Sequence, residues 1–179
     1  INPILSSKDM PKGLKETSSL IGIGFEVRES APNTFTQDRV DLQLNPLDNE
    51  VFVVYAIDLD VGAPDAVAAT NTKMNSSLST TSRTTVGSLA DSNVMAKAEL
   101  QIRASGFLDG GVPFATGSNE SPATQLDYLG IIATNDFFVQ IEGAGNIVDH
   151  SVTGRVYGVR AKADSSIYAA LVQSEVLTS

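Results

Sequence analysis

Three groups of side chains in this sequence have the types and spacing to do chemistry. Asp58-Leu59-Asp60 sets two carboxylates on one face of an extended segment, with Asp65 close behind, an arrangement that could offer oxygen ligands to a divalent cation. No run of further donors at calcium-loop spacing surrounds them, so solvated strand-end carboxylates are the preferred reading and no metal site is expected. Asp127, Asp136 and Glu142 could meet across a hairpin, and a carboxylate pair ~5 to 9.5 Å apart is what glycoside hydrolysis requires. Nothing in the sequence fixes that separation, and a chain with no Trp and 6% aromatic residues has little to stack on sugar rings. Turn and edge-strand charges are the preferred reading there. His150, next to Asp149, is the single imidazole available to a nucleophilic relay, and no Gly-x-Ser-x-Gly elbow supplies its serine. Gly22-Ile23-Gly24 lacks the glycine pattern of a phosphate-binding loop and reads as small residues within a strand, marking a bulge or a close approach. The expectation is therefore no catalytic residue, no cofactor and no enzyme.

The elements that would position these groups are strands. From Val94 to Ser105, Ala96, Ala98, Leu100, Ile102 and Ala104 share one face while Lys97, Glu99, Gln101 and Arg103 share the other, which is a half-buried β-strand. Further strands are predicted at 20–29, with Ile21, Ile23, Phe25 and Val27 alternating, at 39–44, at 50–61 and at 151–163. Within 50–61 the run Val51 to Ala56 is apolar on both faces, implying a central strand covered on both sides, and Ile57 to Val61 alternates. A hairpin is expected from 127–134 and 136–142, turning at Thr134-Asn135. The Gly- and Pro-rich stretch 106–122 reads as turns. Residues 62–92, dense in Ala, Asn, Ser and Thr, read as a long polar insertion with room for a short helix near 66–69 or a hairpin. The tail 165–177 is compatible with a helix or a last strand.

Composition bounds the rest. A chain of 179 residues favours one domain, here a sandwich over 19–179 preceded by an N-terminal arm, 1–18. The formal charge of −9, with 12 scattered Lys and Arg, argues against a nucleic-acid partner. Zero cysteines exclude disulfide support. No stretch reaches the ~18 to 20 apolar residues of a membrane span. The opening Ile1-Asn2-Pro3-Ile4-Leu5 lacks the basic start and apolar run of a signal peptide, and an Ile at position 1 implies a missing initiator Met or leader. Strands without regular helical crossovers define an all-β, antiparallel sandwich, with a single jelly roll as the expected form.

Three features resemble the single jelly-roll coat proteins of non-tailed viruses. They are the Pro-containing arm from Asn2-Pro3 to Lys15, the Ser/Thr-rich insertion from Gly62 to Asn93, and the late block Asn135 to Asn146 followed by Gly154 to Arg160. The resemblance implies a capsid subunit located in the virion, whose partners are other copies of itself, as a homo-oligomer, and a second coat protein. The acidic balance departs from coats that bind genome directly. Apolar residues of the arm and insertion, Ile4, Leu5, Met74, Leu78, Val86 and Leu89, are the candidate subunit-interface anchors, with folding back onto their own domain as the alternative. A second function class is a β-sandwich binding or adhesion module, such as a carbohydrate-binding domain or an appendage subunit whose N-terminal arm is donated as a strand to the next copy.

Overall fold

A computed structural model describes residues 10–108, 111–117 and 126–177. Alternating side chains set its strands. In β2 (Ile21–Arg28), Ile21, Ile23, Phe25 and Val27 turn toward the core, while Gly22, Gly24, Glu26 and Arg28 face solvent. The two longest strands, β4 (Glu50–Val61) and β10 (Ser151–Ala163), pair antiparallel along most of their length. The other elements are β1 (Leu14–Glu16), β3 (Thr36–Asp41), β5 (Thr72–Ser79), β6 (Val94–Arg103), β7 (Val112–Gly117), β8 (Gly130–Ile132), β9 (Asp136–Ala144) and helix α1 (Ser165–Leu177).

They form two antiparallel sheets. One runs β2-β10-β4-β8, with β1 lying beside β10 beyond the end of β2; the other runs β3-β9-β5-β6-β7. Without the edge additions β1 and β7, four strands face four. Each connection then crosses from one sheet to the other, except the β5 to β6 hairpin. That connectivity is a jelly roll, two interlocked Greek keys, and it bears out the fold expected from the strand pattern.

The main core lies between the sheets. Phe52, Phe137, Met74, Leu78, Ile132 and Ile141 are fully buried there, and Phe25 meets Phe137 edge to face with ring centroids 5.9 Å apart. Gly154 and Gly158 on the inner side of β10 leave the space that the Phe25 and Phe52 rings occupy. The changing pattern along β4 has a local cause. Tyr157 pairs with Ala56 and Gly158 with Val54, so Tyr55 is an extra residue, a bulge. Inward positions consequently switch from Phe52 and Val54 to Ile57, Leu59 and Val61.

A second cluster covers the outer face of the same sheet. Val51, Val53, Ala133, Val159, Ala161 and Ala163 are buried beneath Met10, Leu14, Ile167, Tyr168, Leu171 and Val172. The tail is a helix whose Ile167, Tyr168, Leu171 and Val172, at the spacing of one helical face, pack on this cluster, which explains why β4 is apolar on both faces.

Four expectations are corrected. Residues 62–92 are not one insertion, because strand β5 runs through their middle; its inward row, Thr72, Met74, Ser76 and Leu78, is half polar and gives little alternation to read. Residues 130–132 and 136–144 do not form a hairpin, since β8 and β9 belong to opposite sheets and the chain crosses between them at 133–135. Strand β7 lies within the stretch read as turns. The described part of the arm, residues 10–18, includes β1, which pairs with the end of β10.

Candidate functional site

The jelly roll gathers its connections at two ends, and one end carries the densest polar cluster. There the 29–35, 62–71 and 145–150 loops are tied by side chains far apart in sequence. Asp65 Oδ2 accepts the backbone N–H groups of Ile147 at 2.8 Å and Val148 at 3.0 Å, and its Oδ1 lies 3.1 Å from His150 Nε2. Glu29, buried at 3% exposure, accepts from the Gly143 N–H at 2.7 Å and the His150 N–H at 3.1 Å. The Asn33 side-chain amide makes two bonds of 2.9 Å to the Asn146 backbone, its Nδ2 donating to the carbonyl and its Oδ1 accepting the N–H. The knot holds the 145–150 loop in one shape and presents Ile147 and Val148, 70% and 50% exposed, at its tip. On the same end Asn71 fixes the 104–108 segment, where Phe107 and Leu108 are exposed, through the N–H groups of Ala104 and Ser105. A hollow of about 240 Å³ opens beside Leu108, lined by Ala66, Val67, Ala68, Ile102, Ala104 and Gly111. Large apolar side chains exposed together on a rigid frame are the usual mark of a contact surface.

Electrostatics at the knot follow from its hydrogen bonds. The N–H groups of Val148 and Ile147, with His150 adding to them, favour the charged form of Asp65 and lower its pKa from the ordinary carboxylate value. Arg28 lowers Asp149 in the same way through a side-chain hydrogen bond. A depressed folded-state pKa stabilises the fold above the unfolded value and loses that contribution as pH falls through the folded one. Asp65→Asn is therefore expected to cost ~1 to 2 kcal/mol at neutral pH, as a charged acceptor becomes a neutral one. The gap to the parent protein should begin to narrow below about pH 4, the unfolded-state value, and close as pH falls through the lower folded-state one. Denaturant unfolding at pH 7 and pH 3 checks both statements.

The other end is closed by a polar layer. Gln140, fully buried on the outer face of β9, donates to Gln37 Oε1 at 2.9 Å and Ser79 Oγ at 2.8 Å, and accepts from Ser77 Oγ at 2.6 Å. Gln37 Oε1 also accepts the Arg83 N–H at 2.8 Å, and Ser77 Oγ accepts the Gly87 N–H at 2.9 Å. Arg83 reaches Asn93 and Asp91, closing the loop on itself. The 80–93 segment is thus pinned over the sheet by side chains with almost no apolar content, a signal that hydrophobic patterning does not carry.

The candidates read from sequence fall in separate places. His150 finds Asp65, not its neighbour Asp149, which pairs with Arg28. Asp58 and Asp60 stand on the outer face of β4 opposite Arg155 and Thr153, apart from Asp65 in the knot. Among the described residues no group of three or more His, Cys, Asp or Glu is placed to hold a metal ion. Asp136 and Glu142 occupy one strand six residues apart, about 20 Å at ~3.4 Å per residue, too far for a catalytic carboxylate pair. Burial raises the Asp136 pKa despite Arg39 nearby. Asp127 is exposed ahead of β8 in the opposite sheet. Gly22 and Gly24 lie within β2, as read.

Of the interface candidates, Met74 and Leu78 are fully buried between the sheets, because their places in β5 point inward, and cannot serve as anchors for a neighbour. Val86 is half-buried and Leu89 is 63% exposed in the pinned 80–93 loop. Ile4 and Leu5 lie outside the described residues. Sequence reasoning missed Ile147, Val148, Phe107 and Leu108, single apolar residues in turn-rich stretches with no periodicity to mark them.

The strand order defines the chain as an all-β jelly roll. No family model matches it, and no curated protein does. Among solved structures it is similar to one titled Desmodium yellow mottle tymovirus, at 10% sequence identity and a TM-score of 0.32, over 90% of this chain and 99% of that one. An overlay that loose adds nothing to the fold assignment, which stands on the strand order alone.

Proposed function

We propose that this chain is a structural subunit of a virus particle, a capsid protein that associates with other copies of itself to build the shell and performs no catalysis. The observation that carries this reading is the strand order, a complete jelly roll with both loop ends locked by side-chain hydrogen bonds. Tiling needs a body whose contact loops keep one shape, because each copy must meet its neighbours in the same geometry. The knot around Asp65 and the layer around Gln140 supply that rigidity. The apolar tips at Ile147, Val148, Phe107 and Leu108 supply contact area where a charge of −9 would otherwise keep copies apart.

The reading is tested by truncation with assembly as the readout. Met10 and Leu14 pack over the outer apolar cluster, so removing all of 1–18 would damage the fold itself. Removing residues 1–9 alone is expected to leave the unfolding midpoint close to that of the full chain while reducing the yield of large assemblies in sedimentation. Full-size assemblies at full yield from the shortened chain would remove the arm from the mechanism.

A further inference from the structure

The pairing of β2 leaves one long sheet edge open. β2 is bonded to β10, and among the described residues no strand pairs with its other side. One step beyond that register, the Glu29 N–H donates to the His150 carbonyl at 3.0 Å. Bonded and non-bonded pairs alternate in an antiparallel ladder, so odd-numbered residues of β2 turn their backbone groups to β10. Gly22, Gly24, Glu26 and Arg28 turn theirs outward.

The remaining edge strands are shorter than this one and more heavily guarded against pairing. β1 and β8 have three residues each, β3 carries Asp38, Arg39 and Asp41, and β7 carries Pro113. β2 runs eight residues without proline, lysine or a register shift. Its core-facing Ile21, Ile23 and Phe25 also remain half-buried, where Val152 and Val156 of β10, next to them in the sheet, are fully buried.

We infer that this edge pairs antiparallel with β2 of a second copy, with Phe25 on the two-fold axis. In that register Gly24 stands opposite Glu26 of the other copy and Gly22 opposite Arg28, so every outward backbone group of one strand meets one of its mate. The outer face is complementary as well. The Arg155 side chain lies over the two glycines: a Cβ added to Gly22 would come within 3.3 Å of its Cδ, and one added to Gly24 within 3.9 Å of its Nε. The side chain thus extends from β10 across β2, on the side where Glu26 of the second copy would arrive. Among the described residues neither Glu26 nor Arg155 takes part in an ion pair within the chain. A two-fold axis makes both Glu26 to Arg155 contacts at once, which favours a second copy over an unrelated partner. The inference rests on the self-association proposed above and names one of its contacts.

Sedimentation equilibrium on the full chain tests it. Glu26→Arg or Arg155→Glu alone is expected to weaken pairing at least about tenfold, and the double exchange E26R/R155E to recover most of that loss. Gly24→Pro, which removes an outward N–H, should abolish pairing, whereas Gly24→Ala, with nothing nearer than 3.9 Å, should keep it. Thermal melts confirm that each variant folds. If the parent chain associates and all variants associate equally, the β2 contact is wrong and self-association stands. If the parent chain stays monomeric, both fall.

Discussion

Gly158→Ala is expected to destabilise the protein by roughly 3 kcal/mol, at the upper end for overpacking a core. The added Cβ would sit 2.2 Å from the Val53 carbonyl oxygen and 2.6 Å from Phe52 Cε1. Neither neighbour can give way cheaply. Val53 belongs to β4, held between β10 and β8, and Phe52 is fully buried with its ring filling the space above the glycine. Relief would need a shift of the β4 to β10 pairing beside the Tyr55 bulge, the seam that sets which residues of β4 face inward. Gly24→Ala is the matched control on an exposed face and should change stability by less than about 0.5 kcal/mol. Equal unfolding midpoints for the two variants in a denaturant titration would contradict the packing described at this seam.

Glu175→Ala should cost a comparable ~3 kcal/mol, for a different reason. The carboxylate, on a residue 8% exposed near the end of α1, accepts the Ala133 N–H at 2.6 Å, the Thr134 N–H at 3.0 Å and the Thr134 hydroxyl at 2.6 Å. These are the backbone groups of the crossing between β8 and β9, which has no ladder partner there. Removing the acceptor leaves buried donors unsatisfied and unfastens the helix from the sheet it covers. Val51, Val53 and Ala161 beneath α1 would then become accessible, so non-specific aggregation on warming is expected with the lost stability. Glu175→Gln keeps a neutral acceptor and should lose less. If the alanine variant melts with the parent protein and stays clear, α1 is not a structural cover.

Much of the fold was legible because burial on one face of a strand writes itself as alternation. The predicted 50–61 and 151–163 match β4 and β10, and 20–29 contains β2 with one residue to spare at each end. β5 was not legible, since Thr72 and Ser76 take inward places that hydrophobicity would assign to apolar residues. The supposed hairpin shows the opposite limit. Two strands separated by a short turn look alike whether they pair or cross to facing sheets, and only the packing of Ile132 and Phe137 on opposite walls of the core decides it. The polar knot was invisible for a further reason. Asp65 and His150 stand 85 positions apart and are joined by a topology that no local spacing encodes. The sequence set His150 beside Asp149, and nothing in it could name Asp65 as the partner.

The central claim is that this jelly roll works by associating with itself. Its most direct test is the size distribution of the purified full chain, by sedimentation velocity with electron microscopy of the fastest fraction, across protein concentration, salt and Ca²⁺. Because like-charged copies repel, the account predicts discrete, closed assemblies that become more abundant as salt screens the charge. A single monomeric boundary under every condition would contradict it.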